Sequence, residues 1–309
     1  MSLKLTFNFI RETLQRKFIS DSLITIFSFF IIGIAGLIIN TLVGLEYSAN
    51  GLGIYSQGIS IYLLISLLAN FGIHTSAQKN AAQYTKDHQI LKTILITSIL
   101  ATVVTSFFII LCFYFIIDLF SIFEKDPEII TFIKLICFAS PFFAINKTIS
   151  GFMVGLRRMQ EYALVRSARW IIIVCGIIIL GIINSPINSI SILFIITESF
   201  ILIYLLYLNK LFYGNFNIDF FISHLVFGIK NILGSFVGEL ILRAPILLIG
   251  YINGNASAGY FAYVLTFARS ILMIPAAIQS SFNPIFTKHW YENDIKQKNN
   301  NIYKIFKVC

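Results

Sequence analysis

Apolar and polar positions along the chain fall into long blocks. Eight stretches are almost wholly apolar for about twenty residues or more: 22–44, 52–73, 90–117, 129–153, 162–183, 189–208, 221–250 and 257–283. Short polar segments carrying most of the charge separate them. A helix needs about 20 apolar residues to cross hydrocarbon, and a backbone there must satisfy its own polar groups, as a helix does. The blocks are far too long for strands. The pattern predicts an all-α membrane protein of eight transmembrane helices. The lead 1–21 is polar and has no small-residue cleavage site behind a short apolar core, so the first stretch reads as a retained span.

Composition agrees. Of 309 residues, 57% are hydrophobic and 12% are charged, and 31 are Phe. Soluble domains carry about 25% charged residues. A soluble enzyme, a disulfide-stapled module and a disordered tail are excluded. The formal net charge of +9 would suit a nucleic-acid partner. The basic residues alternate with apolar blocks instead of forming one patch, so no nucleic acid is expected.

With the N-terminus placed in the cytoplasm, 18 of the 23 Lys and Arg fall in inside segments, and the outside loops hold only Lys125. This is the positive-inside signature. A missed helix would invert every later loop, so both termini are expected inside a cytoplasmic membrane. The four cysteines, Cys112, Cys137, Cys175 and Cys309, lie far apart, and His74, His88, His224 and His289 show no metal spacing. No phosphate-binding glycine loop, GxSxG or HExxH occurs. No paired carboxylates sit in a loop for acid–base work. Neither an enzyme nor a cofactor is expected.

Beyond the residues assigned to the inside segments, six charged residues lie within the predicted spans: Lys134, Lys147, Glu198, Glu239, Arg243 and Arg269. Arg at a bilayer centre costs about 2.5–3.5 kcal/mol on insertion scales, so Arg269 should face protein or water. Thr266, Ser270 and Met273 share its helical stripe. It reads as a ligand for an anion or as an ion-pair partner of Glu198 or Glu239. Glu239 and Arg243 are four apart and meet on one helix face, as a lock or as part of a cavity wall, with Asn231 and Ser235 on the same spacing. Glu198, mid-span, reads as an ion-coupling carboxyl or as the partner of an Arg. Lys134 and Lys147 lie near the ends of one span and can snorkel, while Lys147, beside Asn146 and Ser150, is also placed to line a cytoplasmic mouth. Pro141, Pro245 and Pro275 should kink their helices. Gly151-x-x-x-Gly155 and Gly234-x-x-x-Gly238 permit close helix packing. Arg157, Arg158, Arg166 and Arg169 read as a cytoplasmic cluster against anionic lipid.

The chain also carries a weak internal echo. Gly44 and Gly53 flank the first turn between spans, and Gly250 and Gly259 flank the seventh, at an offset of 206.

Gly51-Leu-Gly-Ile-Tyr-Ser-Gln-Gly-Ile-Ser, running into Leu67-Leu-Ala-Asn-Phe-Gly-Ile, resembles the start of the bacterial polysaccharide-biosynthesis flippases. These belong to the multidrug/oligosaccharidyl-lipid/polysaccharide (MOP) superfamily. Gly151-Phe-Met-Val-Gly-Leu-Arg-Arg-Met with Tyr162-Ala-Leu resembles their fourth-to-fifth helix loop. Arg243-Ala-Pro-Ile-Leu-Leu-Ile-Gly, Ala258-Gly-Tyr-Phe-Ala-Tyr and Met273-Ile-Pro resemble the opening of their second half.

The resemblance implies a MATE-like flippase fold, divided into a lead (1–21), a first six-helix bundle (22–208), two helices of a second bundle (221–283) and a cytoplasmic tail (284–309). It implies export of a lipid-linked oligosaccharide of the undecaprenyl-diphosphate type for cell-surface polysaccharide or O-antigen, by alternating access through a cationic cavity. Arg269, Arg243 and Lys147 would bind that substrate, and Glu198 and Glu239 would couple ions or form structural pairs. Membrane lipid and other polysaccharide-assembly membrane proteins are the expected partners. A drug/cation antiporter and a membrane enzyme such as a polymerase are the alternatives. Relatives of this kind have about twelve or fourteen helices, so eight imply either a chain that is not the whole transporter or one that oligomerises to close its cavity.

Overall fold

The computed structural model describes residues 2–119, 126–209 and 215–271, without the side chains of 2–23, 25, 26, 118 and 119. Its helices are α1 (Ser2–Asn70), α2 (Ile73–Gln83), α3 (His88–Leu119), α4 (Pro127–Cys137), α5 (Ser140–Gly155), α6 (Met159–Ile182), α7 (Asn188–Leu208) and α8 (Ile218–Asn253). Residues 255–271, here α9, are also helical. No strand occurs among the described residues.

Six helical stretches among the described residues are long and apolar enough to cross a membrane. They hold seven of the eight predicted spans. One, Phe27–Asn70, contains two spans, and another, Pro127–Gly155, joins α4 and α5 into one. The eighth span starts in α9, and its remainder lies outside the described residues, as do Met273, Pro275 and the tail.

α1 folds back on itself at Ser48, which leaves helical geometry with φ 66° and ψ 178°. A Cβ placed on Gly44 would touch the Leu52 side chain at 3.6 Å, although eight residues of straight helix would separate the two by about 12 Å. Contacts along the two arms confirm the reversal. Phe29 meets Arg166 near the start of α6, and Glu46 meets Gly181 near its end, so the first arm runs parallel to α6. The second arm runs parallel to α4 and α5, with Gly58 against Phe132 and Asn70 against Ala144. α8 runs antiparallel to that arm, with Gly228 against Gly72 and Gly250 against Gln57. The end carrying Glu46, Asp126 and Asn184 is called the outer end below.

Two other reversals use left-handed residues. Arg157 (φ 57°) and Asn184 (φ 49°) follow α5 and α6. The Arg158 N–H bonds to the Met153 carbonyl and the Arg157 N–H to that of Val154. Ser185 and Asn184 bond likewise to Leu180 and Gly181. These paired bonds satisfy carbonyls that a helix end would otherwise leave orphaned in an apolar medium.

Pro141 sits in the first turn of α5, directly after the break at Phe138–Ala139 that ends α4. Pro245, expected to kink its helix, lies inside α8, which continues as one helix to Asn253. The first GxxxG pair packs closely: Cβ atoms on Gly151 and Gly155 would collide with the carbonyls of His74 and Gln78 on α2. The second pair does not, since nothing lies within 4 Å of a Cβ on Gly234 or Gly238.

Two apolar cores hold the first seven helices together. One, nearer the outer end, centres on Ile39, Tyr55, Phe132, Ile173 and Phe194. The other gathers Ala77, Ile94, Ile149, Met153 and Leu205. α8 contributes little to either. Only His224, Gly228 and Ile246 are buried along it, and Leu233, Val237 and Ile241 between them are exposed.

Candidate functional site

Where α8 leaves the rest of the fold, it presents charge. One turn brings Glu239 and Arg243 together, and the Arg243 Nε donates to the Glu239 carboxylate at 2.8 Å, both side chains being partly buried. Arg269 projects from α9 and donates to the Leu242 carbonyl at 2.7 Å. It lies in the field of both Arg243 and Glu239. Lys147, on α5, lies in the field of Glu239 and of Arg169. Among the described residues no hydrogen bond or ion pair holds its ammonium. Three predicted cations and one carboxylate therefore share one electrostatic neighbourhood, contributed by α5, α8 and α9. By formal charge one carboxylate faces three cations there, a positive excess in a low-dielectric medium. Such an excess is costly unless an anion or water faces it.

Glu198 stands apart from that group. It is 1% exposed on α7. Its ion partner is Arg169 of α6, not Arg269: the Arg169 Nε lies 2.7 Å from one carboxylate oxygen and Nη2 donates to the other at 3.2 Å. Asn146 Nδ2 donates to the Glu198 backbone carbonyl at 2.9 Å and to its carboxylate at 2.8 Å. The Tyr62 hydroxyl lies in the field of the same carboxylate, and the guanidinium lies over the Phe143 ring at 4.8 Å. A charge-assisted hydrogen bond backed by a second close ion-pair contact makes a strong pair, and the neighbouring donor reduces its desolvation cost.

Arg169 is the residue the sequence reading misplaced. It was grouped with Arg157, Arg158 and Arg166, but α6 carries it one helical turn deeper than Arg166. Arg166 instead lies over the Phe29 ring at 4.3 Å. Arg158 donates to Asn209 at 2.6 Å and pairs with Glu161. The available signal was position: Arg169 falls inside the predicted span 162–183, where an Arg requires a partner.

A neutral polar chain was also missed. Asn70 Nδ2 donates to the Ala144 carbonyl and to the Thr148 hydroxyl, both at 2.9 Å, and Thr148 meets Thr102 at 2.8 Å. His74 joins through the Asn70 amide oxygen. This chain ties α1, α3 and α5 across their buried faces. Among the described residues no three His, Cys, Asp or Glu side chains gather to hold a metal.

The family model described as "Polysaccharide biosynthesis protein" matches residues 7–290. A solved structure of a MOP superfamily transporter from Pyrococcus furiosus Vc1 (DSM3638) superposes with a TM-score of 0.56 at 13% identity, covering 88% of this chain and 69% of that one. For that protein, reverse polarity of the binding pocket is said to suggest a different function. No curated protein sequence matches this chain significantly.

Proposed function

Because the chain belongs to the polysaccharide biosynthesis protein family, we propose that it is a flippase that moves a lipid-linked oligosaccharide of the undecaprenyl-diphosphate type from the inner to the outer leaflet of a bacterial cytoplasmic membrane. Family and fold together support a multi-pass membrane protein with a transporter role. The substrate is the further step. The observation that carries it is the positive excess at Lys147, Arg243 and Arg269, with Lys147 held by no partner among the described residues.

A sugar diphosphate cannot leave water for hydrocarbon without replacement of its hydration. Guanidinium and ammonium groups supply that replacement through charge-assisted hydrogen bonds. In this scheme Lys147 meets the diphosphate first. Arg243 then exchanges Glu239 for a phosphate oxygen, and Arg269 gives up the Leu242 carbonyl. The contacts between α8–α9 and the remaining helices change as the site alternates between leaflets. Glu198 plays no direct part, because Arg169 and Asn146 already occupy its oxygens. A cationic drug would need free carboxylates, and both intramembrane ones are paired, which favours the anionic substrate. Both termini of the chain are assigned to the cytoplasm on the lysine and arginine bias of the loops, and residues 22–208 and 221–283 are read as parts of two units that move against each other.

Arg269→Ala should abolish export of lipid-linked oligosaccharide in cells while membrane abundance stays near wild type. Arg269→Lys should retain part of it, since it keeps the charge and loses the fork. Arg269→Gln keeps an N–H donor for Leu242 and loses the charge. Export at wild-type rate by Arg269→Gln would reduce Arg269 to a structural tie and overturn its part in substrate binding.

A further inference from the structure

At the outer end, α9 crosses the second arm of α1 backbone to backbone. A Cβ on Gly53 would collide with the Asn255 carbonyl, and one on Gly259 with the Ala49 carbonyl. These two contacts are one contact made twice. The sequence offset of 206 that relates Gly53 to Gly259 also relates Ala49 to Asn255, so a local two-fold axis passes through the crossing. The bare Cα atoms let the two helices meet backbone to backbone at the outer end.

A polar clasp lies across the same place. Gln57 Nε2 donates to Asn255 Oδ1 at 2.9 Å, and Asn255 Nδ2 donates to Asp126 Oδ2 at 2.5 Å. The other Asp126 oxygen accepts from the Glu128 N–H at 3.0 Å and so caps α4. Three elements, α1, α9 and α4, are joined through the one side chain of Asn255. Gln57 also fills the space beside Gly250, so the end of α8 is held at the same point. Inward of the crossing, the contact between α1 and α9 continues through polar groups, Asn40 to Thr266 at 2.7 Å and Thr41 to Tyr263 at 3.4 Å.

We propose that Gln57, Asn255 and Asp126 are an outer gate: a clasp that holds the chain closed on the outer side and must part before a substrate leaves there. Glycines allow the two helix starts to meet with no interlocking side chains, so they can separate without repacking a core. The bonds that hold them are between polar groups at the membrane edge, where water can take over each partner. Parting removes all three elements from Asn255 at once. The gate rests on the transporter reading for its purpose, but the opening itself can be read without any substrate.

The test uses the full chain in membranes, with Cys112, Cys137, Cys175 and Cys309 replaced by alanine and a reporter Thr266→Cys within the α1–α9 contact. An impermeant thiol reagent is added on the outer side, and the initial labelling rate is measured. Asn255→Ala should raise that rate several-fold. In Asp126→Cys/Asn255→Cys, bridging the pair with Cd²⁺ should lower the rate several-fold and stop export, and a chelator should restore both. If Asn255→Ala reaches the membrane poorly, the bridged pair decides alone. A labelling rate unchanged by Cd²⁺ overturns the gate. A rate that responds to Cd²⁺ in a protein that exports no lipid-linked oligosaccharide even when unbridged leaves the gate standing and removes the substrate assignment.

Discussion

Removing the Glu198 carboxylate tests how the interior of the helix bundle is held. Arg169 is largely buried and Glu198 is 1% exposed. In Glu198→Ala the guanidinium keeps the Phe143 ring but loses both oxygens, and Asn146 keeps only the backbone carbonyl. Stripping one member from a buried pair costs about 3–5 kcal/mol, because the other charge stays buried and uncompensated. That corresponds to a loss of roughly 10²- to several-10³-fold in the folded-to-unfolded ratio. Replacing both members by apolar side chains of similar size, as in Arg169→Met/Glu198→Leu, removes the stranded charge. The remaining loss is then the Asn146 bond to the carboxylate, about 1 kcal/mol. Equilibrium unfolding of the purified protein in mixed micelles can be followed by fluorescence, since Trp170 adjoins Arg169. The single variant should be markedly less stable than wild type, and the double variant should recover most of the difference. A single-variant cost under about 1 kcal/mol, as for an exposed pair, or a double variant no better than the single one, would refute the reasoning.

Two further measurements address packing and topology. Gly151→Ala forces a Cβ into the His74 carbonyl and should cost about 1–3 kcal/mol, whereas Gly238→Ala, with nothing within 4 Å, should be neutral or gain up to about 1 kcal/mol of helix propensity; the same unfolding experiment compares them, and equal effects would deny the α2–α5 contact. Cysteines at Glu128 and Gln160, both exposed, should differ sharply in labelling by an impermeant reagent added outside, with Glu128→Cys the reactive one; equal labelling would break the assigned orientation.

The fold was legible because a bilayer imposes its period on the sequence. The apolar blocks sufficed to place seven spans and the start of an eighth among the described residues. The glycines at 44 and 53 marked the reversal at Ser48, and Pro141 marked the break between α4 and α5. What was not legible is pairing across helices. Arg169 looked like one more residue of a basic cluster, since nothing local says that α6 turns it toward α7 and a carboxylate 29 residues further on. Asn70, Thr102 and Thr148 vanish inside apolar runs, because a single small polar residue hardly changes a window of twenty. Glu239 and Arg243 could be paired from sequence because their spacing is that of a helix turn. Gly234 and Gly238 had the right spacing for packing, yet α8 turns that face away from the described helices. Lys147 was ambiguous by position alone, since a long stem can snorkel. Among the described residues its ammonium has no hydrogen bond or ion pair, and it lies in the field of Glu239 and Arg169.

The central claim is that this chain moves a lipid-linked oligosaccharide, and the most direct measurement is translocation by the purified protein in proteoliposomes. A fluorescent undecaprenyl-diphosphate oligosaccharide on the inner leaflet should become accessible to an impermeant outside reagent at a rate well above that of protein-free vesicles. Arg269→Ala should reduce that rate to background, and a neutral lipid-linked sugar lacking the diphosphate should move poorly. Wild-type vesicles that match protein-free vesicles, or that carry the neutral lipid as fast as the diphosphate, would contradict the account.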